Sequence, residues 1–245
     1  MIGFSYSETT SPLLLSVPWL YISLKSIKIY PGYRRYEIMK HIAVIGNRAV
    51  TSPDFSLNDL PGSAGRIDIL CRCVNSAFLL SHGIRKDVIL YLILRGAGDP
   101  PKIITLDGRY LKHLNPDERS TGALLKIALK KGLGLKDGEM QRSTPGITVR
   151  RGDLRDLIKD GNFDPVIYLH EASGDIRKMR EAIKEWLEKT PLFVLGDHIG
   201  VSREDEEFLD ELDAIRVSLG PRSLHADHCI TILLNEIDRI ELDYA

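Results

Sequence analysis

The chain has 245 residues, 43% apolar and 27% charged, which excludes a low-complexity or fibrous chain and allows one large globular domain or two small ones. Three cysteines make no disulfide framework and suit a reduced, intracellular setting. The formal net charge of −1 hides a division: 16 Lys/Arg against 9 Asp/Glu between Ile84 and Lys159, then 4 against 13 from Asp197 onward. Such asymmetry fits an anion-binding half, and equally fits solvated helix faces.

Residues 1–38 read differently from the rest. The stretch from Ser11 to Tyr30 is interrupted by Pro12 and Pro18, with Lys25 and Lys28 near its end. It lacks the run of roughly 18 apolar residues that a membrane helix needs. It also lacks the cationic opening of a signal peptide. Met39 directly precedes a strong strand signal. The expectation is therefore a physiological start at Met39, with residues 1–38 a disordered or spurious extension and residues 39–245 a single domain.

From there short apolar runs alternate with helical patterns. Strands are predicted at His41–Gly46, Val88–Leu94, Ile103–Leu106, Ile147–Val149, Val166–Leu169, Leu192–Leu195 and Ile215–Leu219. Runs of this kind suit strands covered on both faces. Ile67, Leu70, Cys71, Val74, Ala77 and Phe78 recur at helical spacing, as do Leu124, Ile127 and Ala128 on towards Leu133. Ile176–Trp186, Asp205–Leu212 and His225–Ile240 complete the helices, and Ser202 with Asp205 reads as a capping box. The alternation predicts an α/β fold with a mostly parallel sheet flanked by helices.

Familiar nucleotide and metal signatures are missing. There is no phosphate-binding loop of the G-x-x-x-x-G-K-[ST] kind. Gly132-Leu133-Gly134 follows a helix, and Gly96-Ala97-Gly98 runs into Asp99-Pro100-Pro101, where proline opposes a new helix. Cys71 and Cys73 lie about 200° apart around their helix and cannot share a ligand face. His225, His228 and Cys229 do share a face, but no second cluster at zinc spacing joins them. An organic ligand or core packing suits them better than a metal.

Two regions remain conspicuous. One runs Leu94-Arg95-Gly96-Ala97-Gly98-Asp99-Pro100-Pro101-Lys102 and on to Leu114-Asn115-Pro116-Asp117-Glu118-Arg119-Ser120-Thr121. The other holds Phe193-Val194-Leu195-Gly196-Asp197-His198-Ile199-Gly200, then Val217-Ser218-Leu219-Gly220-Pro221-Arg222-Ser223-Leu224-His225-Ala226-Asp227-His228-Cys229-Ile230. From Met39 to the end, the pattern resembles the archaeal tRNA (pseudouridine-54) N1-methyltransferases of the SPOUT superfamily. The related rRNA pseudouridine N1-methyltransferases are the nearest alternative, and the Pro-Asp-Glu-Arg-Ser element favours the tRNA branch. The resemblance implies an α/β fold with a C-terminal trefoil knot, S-adenosylmethionine bound in the knot loops, tRNA as substrate, a homodimer and a cytoplasmic setting. It also implies that Cys229 contacts the cofactor.

The residues themselves suit that chemistry. Leu195-Gly196 and Ser218-Leu219-Gly220 end predicted strands, where α/β folds place ligands. Glycine admits close backbone approach, and Leu169 and Leu224 are candidate adenine walls. Ordinary turn chemistry at Gly196 and Gly220, and a plainly buried Cys229, stay open. Methylating N1 of pseudouridine replaces a weakly acidic N–H proton, so a base or a stabiliser of negative charge is expected. Asp99 is the candidate base. Arg95 and Arg119 are candidates to hold phosphate or charge on the base, with Asp117 orienting an arginine. Loop or helix-cap work for Asp99 and Asp117 stays open too. Lys126, Lys130, Lys131, Lys136, Arg142, Arg150, Arg151 and Arg155 are candidate phosphate contacts. Methylation of rRNA or of a ribose 2′-hydroxyl, a non-enzymatic RNA-binding role, and an unrelated small-molecule enzyme are the alternatives.

Overall fold

The computed structural model describes residues 38–99 and 101–243. The expectation for residues 1–38, Ile38 apart, lies outside the described residues.

Strand β1 (Lys40–Gly46) is central, and its four apolar residues Ile42–Ile45 are fully buried. Side chains alternate along a strand. Ile42 and Val44 therefore join one core, and Ala43 and Ile45 join another on the opposite face. Each buried Ile or Val among them contributes about 1.5–3 kcal/mol. After β1 come α1 (Leu60–Ser63), α2 (Ile67–Phe78) and a small hairpin of β2 (Leu79–Leu80) and β3 (Gly83–Ile84). Strands β4 (Val88–Leu94) and β5 (Lys102–Asp107) follow, then α3 (Glu118–Lys131), β6 (Met140–Arg142), β7 (Ile147–Arg151) and α4 (Leu154–Asp160). The remainder is β8 (Val166–Asp175), a 3₁₀ turn at Ile176–Lys178, α5 (Arg180–Leu187), β9 (Leu192–Gly196), α6 (Arg203–Glu211), β10 (Ile215–Ser218) and α7 (Ala226–Glu241).

Eight strands form one sheet in the order β10-β8-β9-β1-β4-β5-β7-β6. From β10 to β4 every pairing is parallel; β5, β7 and β6 extend the sheet antiparallel. Helices α2, α3, α5 and α7 cover one face, and α4 and α6 the other. The far end of α7 is fixed by charge. Lys40, 1% exposed, pairs with Asp87 and Glu241 at 2.7 Å each, and Arg85 pairs with Asp238. None of the helices among the described residues is long and apolar enough to cross a membrane.

The predicted strands appear with shifts of a residue or two, save β8, which runs on to Asp175. That extension leaves only a 3₁₀ turn and Arg180–Leu187 where one helix from Ile176 was expected. Helix α3 starts at Glu118, ahead of the apolar repeat at Leu124, because Asp117 caps it by accepting a 2.7 Å hydrogen bond from the Ser120 amide, the cap role left open for it. The Ser202 hydroxyl does cap α6 by accepting from the Asp205 amide. The reciprocal half of the expected box is absent, because the Asp205 carboxylate turns to the Ser202 hydroxyl and Arg95.

Candidate cofactor and RNA site

Three chain segments meet at the carboxyl ends of the parallel strands. They are residues 168–171 of β8, the loop 195–201 after β9, and the stretch 217–226 from β10 into α7. Between them lies a cavity of about 550 Å³, within the roughly 300–1,000 Å³ usual for organic ligands. Its wall includes Leu169, Leu195, Gly196, Ser218, Leu219, Gly220, Leu224 and Cys229, which are all the residues expected around a cofactor. The β8–β10 register explains the opening. Arg216 pairs with Tyr168, yet the next residue, Val217, pairs with Gly174, so residues 169–173 leave the ladder.

The loop after β9 is shaped by one carboxylate. Asp197, its side chain 3% exposed, accepts hydrogen bonds from the Asn47 amide (2.9 Å), the Asn47 side chain (3.0 Å) and the Ile199 amide (2.9 Å). The Asn47 side chain also donates to the Gly200 carbonyl at 2.9 Å. Gly200 is thereby pressed onto Gly196, where an added Cβ would fall 2.2 Å from the Gly200 carbonyl carbon. Only glycine fits there. In the second loop the Ser218 hydroxyl donates to the Gly220 carbonyl at 2.9 Å. On α7 the Cys229 thiol faces the Leu224 carbonyl at 3.8 Å, and burial raises its pKa. The polar wall residues Asp197, Glu171, Glu206, His198 and Arg222 carried no assigned role in the sequence reading. The Asp in Leu-Gly-Asp-His-x-Gly was the available signal for the first of them.

The second group of expected residues lies elsewhere. Among the described residues, none of Arg95, Asp99, Asp117 and Arg119 lines the cavity. Arg95, at the end of β4, is held by two carboxylates: Asp153, which caps α4, and Asp205 in the first turn of α6. Burial opposes the charge on Asp205, but hydrogen bonds from Arg95 and Ser202 outweigh it and lower its pKa. Asp99 pairs at 3.0 Å with Lys102, itself 2% exposed, and its carbonyl accepts from the Thr51 hydroxyl at 2.6 Å. Asp117 is a helix cap, and Arg119 donates to the Asn58 side chain at 3.2 Å.

The basic stretch divides in the same way. Lys126 is tied to the Phe55 carbonyl and lies over its ring. Arg150 pairs with Asp160, Arg151 with Asp137, and Arg155 lies over the Phe208 ring. Lys130 and Lys131 are exposed at the end of α3.

A pocket of main chain, aliphatic and polar side chains at the carboxyl ends of parallel strands defines an α/β protein with a site suited to an organic ligand. The sequence profile of the family described as SAM-dependent RNA methyltransferase matches residues 39–242. The chain belongs to that family, and SAM, S-adenosylmethionine, is its cofactor. A relative named tRNA (pseudouridine(54)-N(1))-methyltransferase, from Methanosarcina acetivorans, is 51% identical over 205 residues, 84% of this chain and 93% of the relative. One of the same name from Methanocaldococcus jannaschii is 44% identical over 206 residues, 82% of this chain and 97% of the relative. The crystal structure of Archaeoglobus fulgidus Nep1 bound to S-adenosylhomocysteine shares the fold, with a TM-score of 0.56 at 17% identity over 83% of this chain and 99% of that one.

Proposed function

We propose that this enzyme methylates N1 of pseudouridine 54 in tRNA, the reaction printed in the names of its relatives at 44–51% identity. The reading includes the homodimer, the cytoplasmic setting and the C-terminal knot that the resemblance implies. The single observation that carries it is the cavity at the three loop ends, walled by Leu169, Leu195, Leu219, Leu224 and Cys229 and by the backbone around Gly196 and Gly220.

The residues present fit S-adenosylmethionine. Aliphatic side chains suit an adenine ring, and backbone groups at Leu195 and Leu219 suit its edge. Carboxylates at Asp197, Glu171 and Glu206 give the wall a negative field that suits a sulfonium, and Arg222 suits the methionine carboxylate. When bound, the cofactor supplies an electrophilic methyl group. The protein must hold the pseudouridine edge against it and take up the N1 proton. Asp99 is the assigned proton acceptor. Its ion pair with buried Lys102 orients the carboxylate. Arg95 works through its carboxylates, fixing the starts of α4 and α6 around the site. Lys130 and Lys131 are assigned to phosphates of the RNA. Arg119, Arg150 and Arg151 each hold their present partner through one nitrogen, which leaves other guanidinium N–H groups for phosphate.

The test is incubation with labelled S-adenosylmethionine and two tRNA transcripts, one with pseudouridine at position 54 and one with uridine. Label in 1-methylpseudouridine from the first transcript alone is expected. Equal label in both, or label on a ribose, contradicts the reading.

A further inference from the structure

The connection after β1 bridges the two functional regions. On one side the Asn47 amide and side chain hold Asp197 in the cofactor loop. On the other, the segment is stitched to the loop after β4. The Arg95 amide donates to the Gly46 carbonyl, the Gly96 amide to the Ala49 carbonyl and the Thr51 amide to the Ala97 carbonyl, at 2.8–3.1 Å. Arg48 lies in the middle. Its carbonyl is wedged so tightly that a Cβ added to Gly65 or Gly96 would fall 1.8 or 2.1 Å from it. Its backbone is therefore fixed from both sides, yet its side chain is exposed.

The neighbouring arginines differ. Arg95 is engaged by Asp153 and Asp205, and Arg66 by a double hydrogen bond to Asp68. Arg48 has no carboxylate partner among the described residues. The wall of the cavity carries Asp197, Glu171 and Glu206 against one arginine, Arg222, which the proposed reading gives to the methionine carboxylate, so a polyanion approaching it meets net repulsion unless a further cation offsets it. A free guanidinium on a rigid backbone between the two loops is placed to do so, and its fork matches a phosphate.

We infer that Arg48 is an RNA-binding residue that grips a backbone phosphate beside the target nucleotide and so sets that nucleotide against the cofactor loop. The inference rests on the RNA-methylating reading of the same site.

Filter binding of tRNA across a salt series, with S-adenosylmethionine affinity measured calorimetrically on the same preparations, tests it. For Arg48→Ala, the slope of log affinity against log salt should fall by about one, and tRNA affinity near 0.1 M salt by roughly tenfold. Cofactor affinity should stay within about twofold, since the loop is held by Asn47 and Asp197. Arg48→Lys should keep the wild-type slope. An unchanged slope in Arg48→Ala, a lysine variant that behaves like the alanine one, or loss of cofactor binding in Arg48→Ala would each overturn the assignment. The outcome is separable from the proposed reaction. Absence of methyl transfer by the wild-type enzyme sinks that reaction, whereas the salt slopes judge Arg48 without any turnover.

Discussion

The loops around the cavity and the loop after β4 are both glycine-bearing, both end parallel strands, and differ in what holds them. The cavity loops are shaped by main-chain contact: Gly196 against Gly200, Asp197 gathering amides, Ser218 folded onto Gly220. The β4–β5 loop is organised by charge, with Arg95 bound to Asp153 and Asp205 and Asp99 bound to Lys102. The first kind presents an aliphatic surface that can close on a small ligand. In the second, Arg95 is spent on anchoring the starts of α4 and α6, while Asp99 stays partly exposed beside Lys102.

The largest expected effect separates the two kinds of loop. Gly196→Val puts side-chain atoms into the Gly200 backbone and should abolish S-adenosylmethionine binding in a calorimetric titration. Gly200→Ala meets no neighbour within 4 Å and carries only the strain of its φ of +88°, about 1–2 kcal/mol. Its binding should survive, and equal loss in both variants would break the close-approach argument.

Next comes Arg95→Met. It leaves Asp205, 6% exposed, without its guanidinium and should lower unfolding stability by about 3 kcal/mol in a urea titration. A stability within 1 kcal/mol of wild type, joined to loss of turnover, would make Arg95 a catalytic group after all.

A slightly smaller effect belongs to the opposite end of β1, away from both loops. Burial and the charge of Arg109 lower the His41 pKa to about 4, and its Nδ1 lies 2.9 Å from the Tyr91 hydroxyl. The folded protein thus keeps the ring neutral where the unfolded chain protonates it. Stability is full above about pH 6.5 and declines as pH falls towards 4, by at most about 3 kcal/mol. Urea unfolding of wild type and His41→Gln at pH 7 and 4.5 should show this decline reduced in the variant. Identical declines would remove His41 from the account.

The smallest effect is at the rim. Arg151→Ala breaks an exposed pair with Asp137 and should change stability by less than about 0.5 kcal/mol. A larger loss would show that even exposed pairs anchor this half of the sheet.

Much of this was legible in the sequence, and the reasons are physical. Apolar runs such as Ile42–Ile45 announce strands covered on both faces. The paired endings Leu195-Gly196 and Leu219-Gly220 pointed to the cavity because α/β folds place ligands at strand ends, while ordinary turn chemistry explained the glycines equally well. Helix α4 was missed because Arg155, Asp156 and Lys159 blur its short apolar stripe, and β6 because its three residues are all exposed. The ion pairs of Arg95 were illegible, since their partners lie 58 and 110 residues away. Arg48 carries no motif and becomes visible only once its neighbours' carboxylates are known.

The central claim is that the three loops enclose the cofactor. Cys71 and Cys73 are buried, so Cys229 on the cavity wall is the thiol that a small alkylating reagent reaches. Burial raises its pKa, so the reaction is best followed at alkaline pH, where the thiolate is populated. Saturating S-adenosylmethionine should slow alkylation of Cys229 at least about tenfold, read by peptide mass spectrometry. An unchanged rate, with the cofactor shown bound by calorimetry, would place it elsewhere and contradict the account.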